Sequence, residues 1–216
     1  MVIPVLNAAA PLPATLAAIS GAADEVVVCD GGSADGTAAL ARSLGARVVA
    51  APRGRGAQLA AGIAAAQGDW LLLLHADTRL AAGWVQEARR FMATNAAQAG
   101  YFRFVLESED ARARRLERLV AWRCRWLALP YGDQGLLLSR RLLDEVGGVR
   151  PLPLMEDVDL VRRLGRRRLA PLPTAAITSA RRWESDGWYW RSARNLLCLT
   201  LYLSGVPPGI VARLYA

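Results

Sequence analysis

The first eighty residues alternate short apolar runs with alanine-rich stretches, and this alternation constrains the fold more than any other feature. Met1–Leu6 is an apolar run closed by Asn7. Pro11–Ser20 has helical spacing. Glu25–Asp30 reads EVVVCD, a β-branched strand ended by a carboxylate. Gly31-Gly32 forms a turn, and Ser33 is placed to cap a helix running to about Leu44. Arg47–Ala51 is a third strand, Ala57–Gln67 a second alanine-rich helix and Trp70–Leu74 a fourth strand. That last run is apolar on both faces, as central parallel strands are. Strands and helices alternating at this spacing predict βαβ units and a mostly parallel sheet, with ligands gathering at the carboxyl ends of the strands.

The second half is less regular. Helices are predicted over Trp84–Met92, Ala111–Trp126 and Glu156–Leu164, with strands over Tyr101–Leu106 and Gly135–Leu138. Leu116, Leu119, Val120 and Trp126 are expected on one inward face of the arginine-rich helix 111–126. Trp188–Ser204 is aromatic and apolar, and Pro207-Pro208 starts a last short helix. No composition break asks for a second domain. The 216 residues are therefore read as one α/β domain: a nucleotide-binding half (1–80), an acceptor-side half (81–180) and a C-terminal helical segment (181–216).

Composition removes several function classes. Hydrophobic residues make up 53% and charged residues 21%, which excludes a disordered chain. The three cysteines, Cys29, Cys124 and Cys198, lie far apart without a CxxC, against a disulfide framework or a zinc ribbon. No basic segment precedes a signal-like apolar run, and no apolar stretch approaches the roughly 20 residues of a membrane span. A cytoplasmic protein is expected, with attachment at the inner membrane face left open. The net charge of +8 comes from arginine alone, as there is no lysine. It fits either codon bias or attraction to anions such as nucleotide phosphates, lipid headgroups or nucleic acid. GxxxxGK[ST], GxGxxG, GxSxG and HExxH are all absent.

What remains is a set of polar clusters at strand ends. They are Pro4-Val5-Leu6-Asn7, Asp30-Gly31-Gly32-Ser33-Ala34-Asp35-Gly36-Thr37, His75-Ala76-Asp77-Thr78 and Met155-Glu156-Asp157-Val158-Asp159-Leu160. Together with RGRGAQLAAG and GDQGLLLSR, their order resembles the family-2 inverting glycosyltransferases, from Val2 to about Leu164. The tail, TSARRW followed by an apolar helix and GVPPGIVARLY, resembles a small bacterial branch. Members of that branch are labelled arsenosugar-biosynthesis or radical-SAM-associated transferases.

The resemblance implies a GT-A fold and transfer of a sugar from a UDP- or GDP-sugar to an acceptor hydroxyl of unknown identity. It implies that Pro4, Leu6 and Asn7 flank the base and that Asp30 hydrogen-bonds it. Arg53 and Arg55 face the nucleotide, and Ala76 and Asp77 lie at the diphosphate. Asp77 matches the last acid of a DxD motif holding Mn²⁺ or Mg²⁺, while His75 stands where the first acid is usual and is a candidate ligand. Asp157 matches the general base, with Glu156 beside it. Asp133 and Gln134 are second-rank donor-site candidates. Arg181, Arg182 and Trp183 fall where related enzymes close over the diphosphate. Ala8 and Ala60 replace polar residues common in the family, and the QxxRW of processive members is absent, which favours single transfer.

Two rival readings compete with this one. One is a non-catalytic basic peripheral protein that binds anionic membrane or nucleic acid through the helix 111–126. It gives no role to the strand-end acids, so nucleic acid is not expected as a partner. The other is a sugar-phosphate nucleotidyltransferase, disfavoured because Asn7-Ala8-Ala9-Ala10 lacks a glycine- and arginine-rich loop. The apolar C-terminal helix leaves three packing partners open: the sheet, a second copy in a homodimer, or lipid.

Overall fold

The structure, a computed structural model, describes residues 1–215. Its first half follows the alternation read from the sequence: β1 (Val2–Val5), α1 (Leu12–Ile19), β2 (Val27–Asp30), α2 (Thr37–Ser43), β3 (Arg47–Ala50), α3 (Arg55–Ala65) and β4 (Trp70–Leu73). The second half holds β5 (Thr78–Leu80), α4 (Trp84–Thr94), β6 (Ala99–Glu107), α5 (Ala111–Leu127), β7 (Leu136–Ser139) and α6 (Arg140–Glu145). It continues with α7 (Glu156–Leu164), β8 (Leu169–Ser179), α8 (Arg181–Asp186), α9 (Trp188–Leu203) and α10 (Pro208–Tyr215).

All eight strands join one sheet in the order β3-β2-β1-β4-β7-β6-β8-β5. The β3-β2-β1-β4 side is wholly parallel, with Val2 opposite both Val27 and Leu73. The other side is mixed: β7 runs antiparallel to both neighbours, β6 and β8 are parallel, and β5 is antiparallel to β8. Both faces are covered, and the period-2 alternation of strands assigns the residues. Val2, Val27, Leu71 and Leu73 enter one core cluster, and their neighbours Ile3, Val28, Leu72 and Leu74 enter the other. Gly62 of α3 faces Cys29 Sγ and Val2 so closely that a Cβ would not fit, which seats α3 directly on β1 and β2. All three cysteines are free and buried.

Several expectations change. Ser33 does not cap α2, which starts four residues later, after Gly36 in the left-handed region (φ 83°). Ser33 is drawn back instead to Asp30, whose carboxylate takes both its N–H and its hydroxyl. The inward face of α5 is Ala113, Val120 and Cys124, with Leu116 beside them, whereas Leu119 and Trp126 point to solvent. Small residues occupy the seats that the larger ones were expected to fill. The 11-residue strand β8 was not expected, because Pro171 and Pro173 demote the run as a strand. The ladder accommodates them with a register shift: Phe102 pairs with Leu172 but Arg103 with Ala175, so Pro173 and Thr174 bulge out.

Candidate active site

The site is built on loops at the carboxyl ends of the parallel strands, and those loops are tied to one another. Asn7, in the left-handed region (φ 51°), accepts the Ala34 N–H at 2.9 Å and donates its own N–H to Ser33 Oγ at 2.9 Å. Ala8 N–H goes to Thr37 Oγ1 (2.8 Å) and Ala9 N–H to Asp35 (3.0 Å). Asn7, predicted to flank a base, thus first fixes the loop after β1 against the loop after β2. Pro4 is buried within β1, opposite Cys29, and lies in the strand rather than in the loop; Leu6 is half-buried. Gln58 of α3, which the sequence reading overlooked, donates from Nε2 to Val5 O (2.5 Å) and Cys29 O (2.9 Å). It pins the ends of β1 and β2 from beneath.

Arg55, the first residue of α3, reaches across to the other half. Its Nε lies 2.6 Å from Glu156 Oε1, and its Nη1 lies 3.2 Å from His75 Nε2. Glu156 is only 1% exposed. The charge contact is close but poorly aligned, and neither Glu156 oxygen receives a well-directed hydrogen bond. Burial pushes the Glu156 carboxyl up to about 7, against the pull of Arg55 and with the push of Asp157. Gly56 lets this corner close. A Cβ there would stand 2.6–2.7 Å from the backbone of Arg150 and Leu152, in the segment that leads to α7.

His75 follows β4, and burial beside Arg55 pushes its pKa down to about 4, so the ring is neutral. A guanidinium can only donate, so Nε2 accepts and the ring proton sits on Nδ1. No lone pair remains for a cation in this arrangement. Asp77, two residues on, begins no helix; β5 starts at Thr78. Among the described residues nothing donates to the Asp77 carboxylate, although its backbone carbonyl accepts the Ser179 N–H at 3.2 Å. Ala76 is buried and accepts from Thr15 Oγ1 (2.8 Å).

A 3-10 turn at Gly132–Gln134 and the start of α7 complete the site. Gly132 donates its N–H to Asp157 Oδ2 at 2.8 Å, and Val158 N–H reaches Asp157 Oδ1 at 2.8 Å. A side chain at Gly132 would meet His75 Nε2 at 2.5 Å, so only glycine allows His75 and Asp157 to flank this turn. Asp133 Oδ1 is buried without a hydrogen-bond partner. Burial pushes its pKa up to about 6 against the pull of Arg123, and Asp157 and Asp77 add to the rise. The two carboxylates, one from β4's end and one from α7, thus act on Asp133. Gln134 faces the other way. It is buried, accepts Tyr131 N–H (3.2 Å) and donates to Phe102 O (3.0 Å), which makes it a prop for the turn. Arg123 lies 3.4 Å over the Tyr131 ring. Beneath His75 and Asp157 is an apolar-walled cavity bounded by Leu59, Leu73, Leu136 and Leu160.

Other candidates fall outside this cluster. Arg53 is exposed and has no charge partner among the described residues. Arg182 acts on His75, which places its charge near the site, whereas Trp183 is buried against Phe104. Among the described residues no three His, Cys, Asp or Glu side chains form a metal cage.

A sheet of this order, with its polar groups gathered where β1, β2 and β4 end, defines an α/β fold of the GT-A type. Residues 1–152 match the model described as glycosyl transferase family 2. The chain belongs to glycosyl transferase family 2 and is a glycosyltransferase. The match ends four residues before Glu156. No curated protein matches the sequence. Among solved structures, the chain is similar to glucosyl-3-phosphoglycerate synthase from Mycobacterium tuberculosis in complex with Mn²⁺ and uridine-diphosphate-glucose. They share 24% identity, the superposition covers 95% of this chain and 78% of that one, and the TM-score is 0.67. It is likewise similar to the same synthase with Mn²⁺, uridine diphosphate and glucosyl-3-phosphoglycerate, at 22% identity, 95% and 79% coverage and TM-score 0.65. At these identities the likeness is one of fold. Family membership sets aside the non-catalytic basic binder.

Proposed function

We propose that the chain transfers a sugar from a nucleoside-diphosphate sugar to an acceptor hydroxyl with inversion, and that Asp157 is the general base. The observation that supports this most is the gathering of Asp77, Asp133 and Asp157, from three separate segments, around His75 and Arg55. Asp157 takes the acceptor proton as the hydroxyl oxygen attacks the anomeric carbon opposite the departing diphosphate. The N–H groups of Gly132 and Val158 hold its two oxygens in place and leave lone pairs for that proton. Glu156 is a positioning residue in this reading: buried and paired with Arg55, it fixes the start of α7 against the start of α3.

The residues suit a hard divalent ion. Mn²⁺ and Mg²⁺ are held by one or two carboxylates plus substrate phosphates, not by closed protein cages. Asp77, with its carboxylate free of donors, and Asp133 Oδ1, buried without a partner, would supply those oxygens. The ion would neutralise charge on the diphosphate leaving group. His75 is assigned to Arg55 rather than to the ion. Asp30, already accepting from Ser33, keeps lone pairs for a base N–H. Arg53, exposed at the loop before α3, is free to meet phosphate.

We retain residues 1–80 as the donor half and 81–180 as the acceptor half. UDP is the first nucleotide to test, because the similar synthase was solved with uridine-diphosphate-glucose. Placement in the arsenosugar- or radical-SAM-labelled branch rests on the tail sequence alone. The test is a thermal-shift panel of UDP, GDP, ADP and CDP, with and without Mn²⁺, on wild type and Asp77→Ala. One nucleotide at about 100 times its Kd adds about 2.7 kcal/mol of stability, an upward shift of roughly 5–10 °C. The expected result is a Mn²⁺-dependent shift that Asp77→Ala abolishes. Equal shifts in both proteins would remove the metal role of Asp77.

A further inference from the structure

Two helices, α5 and α9, carry an unusual outward surface. On α5, Leu119, Trp122 and Trp126 are exposed, Trp122 by 55% and Trp126 by 57%. Their helical positions lie within one outward sector that also holds Arg115, with Arg118 and Arg125 along its edge. On α9 the outward stripe is Tyr189, Trp190, Ala193, Leu196, Leu197 and Thr200, and it contains no charge at all. Arg112 of α5 stacks 5.6 Å over Trp188 of α9, which joins the starts of the two helices. Exposed Ile210 and Leu214 on α10, which packs on α9, extend the apolar area.

Within the outward sector of α5 the charges have one sign, while the acids near this surface, Asp110 and Asp186, stand at the starts of α5 and α9 and are paired with Arg112 and with Arg191 and Arg194. Arg115, Arg118 and Arg125 pair with no carboxylate among the described residues. Glu117, the sole acid within α5, is turned inward, where it pairs with Arg114 and accepts the Leu106 N–H. From Gly187 to the last residue of the sequence there is no Asp or Glu. Large exposed apolar patches on a water-soluble fold mark interaction surfaces. Tryptophan and tyrosine mixed with arginine and leucine is the composition of helices that lie in a bilayer interface, with rings at headgroup level and guanidinium groups on lipid phosphate.

We infer that the outward faces of α5 and α9 form a docking surface for an anionic phospholipid bilayer. A second copy of the chain fits less well. An isologous dimer would set the patch against itself and bring Arg115, Arg118 and Arg125 of two copies together, with no carboxylate inside the outward sectors of α5 and α9. An anionic lipid surface complements both the charge and the apolar rings. The inference goes beyond the transfer reaction and does not depend on it.

Co-sedimentation of the whole chain with vesicles tests it. One set is phosphatidylcholine alone, and the other is phosphatidylcholine mixed with phosphatidylglycerol. The protein is expected to pellet with the mixed vesicles far more than with neutral ones, and less so at high salt. Each arginine near such a surface contributes about fivefold to binding, so the triple variant Arg115→Gln, Arg118→Gln, Arg125→Gln should bind about a hundredfold more weakly. The triple variant Trp122→Ser, Trp126→Ser, Trp190→Ser should also bind more weakly. All six side chains are exposed, so both variants should keep the wild-type melting midpoint, which checks that they fold. Failure to pellet with the mixed vesicles overturns the inference. So does binding that both variants retain in full. Loss in the arginine variant with no change in the tryptophan variant would leave only charge attraction and overturn docking of the apolar face. A lipid-free dimer that the tryptophan variant splits, seen by light scattering, would assign the face to a second copy instead.

Discussion

The two halves of the sheet solve the same problem differently. In the parallel half, β1, β2 and β4 run into Asn7, Asp30 and His75, and the loops after β1 and β2 are tied together through backbone N–H groups, as Asn7 is to Ser33 and Ala34. In the mixed half, the reactive groups come from a 3-10 turn and a helix start. Buried polar side chains behind them do the holding: Gln134 under the turn and Glu156 under Asp157. The first arrangement makes a rigid shelf that suits nucleotide binding. The second places carboxylates in a poorly solvated corner, where their charges interact strongly. Damage to the two halves should therefore separate into lost donor binding and lost turnover.

The sharpest break is Asp157→Asn. An amide keeps the shape but cannot take the acceptor proton. Transfer should fall by about 10²–10⁴-fold, the usual worth of a general base. The nucleotide-induced thermal shift should persist, because Asp157 belongs to the mixed half. Steady-state transfer assays beside melting curves check both. Unchanged transfer would remove Asp157 as base.

Arg55 crosses the divide, so its loss should damage both halves. Arg55→Met leaves Glu156 buried without its counter-charge. Removing one partner of a buried pair costs about 3–5 kcal/mol. The partly open guanidinium side and the ability of Glu156 to take up a proton near pH 7 pull the expectation toward the lower figure. Urea unfolding at pH 8, where Glu156 is ionised, should show the larger loss, and unfolding at pH 5.5 the smaller. A pH-independent loss would mean that packing rather than charge joins the halves.

Gln58→Leu sharpens the comparison within the parallel half. It removes one donor from Val5 O, which keeps the Gly31 N–H, and one from Cys29 O, in a buried place. The expected cost is about 1–3 kcal/mol, read as a lower urea midpoint, with turnover by the remaining folded enzyme little changed. A selective loss of turnover would place Gln58 in the mixed half's chemistry.

The halves also differ in how far the sequence discloses them. The parallel half was readable to within a residue or two at most strand ends, because an apolar run closed by Asn7, Asp30 or His75 has few other solutions. Ser33 misled, since serine after a glycine turn suits a helix cap and an Asx-type turn alike. The mixed half hid β5, only three residues long, and β8, masked by Pro171 and Pro173. On α5, large residues suggested an inward face that Ala113 and Cys124 occupy instead. Among site residues, the carboxylates announce themselves by position in motifs. Gly132 and Gln58 lie inside GDQGLLLSR and RGRGAQLAAG, but their work is a close approach and a pair of backbone carbonyls, which the motif alone does not disclose. Gln134 had the opposite fault: it sits inside a suggestive motif but turns to the core.

The smallest effect probes the solvation of the corner itself. Asp133 holds its proton to about pH 6 in the folded chain, against 3.8 as its ordinary value, because burial disfavours the charged form. Between those values the unfolded chain releases this proton while the folded chain keeps it. The Asp133 contribution to stability is therefore full below about pH 4 and is lost as pH rises through 6. Asparagine has no such loss. Asp133→Asn should consequently gain on wild type between pH 4 and pH 7, by about 1–2 kcal/mol after allowance for partial exposure of the side chain. Urea midpoints for both proteins at pH 4, 5.5 and 7 measure it. Adding Mn²⁺ with the bound nucleotide at pH 7 should reverse the ranking, because a divalent ion would stabilise the ionised Asp133 carboxylate, whose Oδ1 is buried without a partner. A ranking that ignores both pH and Mn²⁺ would mean that Asp133 is solvated like any surface acid, and the contrast between the halves would lose its physical basis.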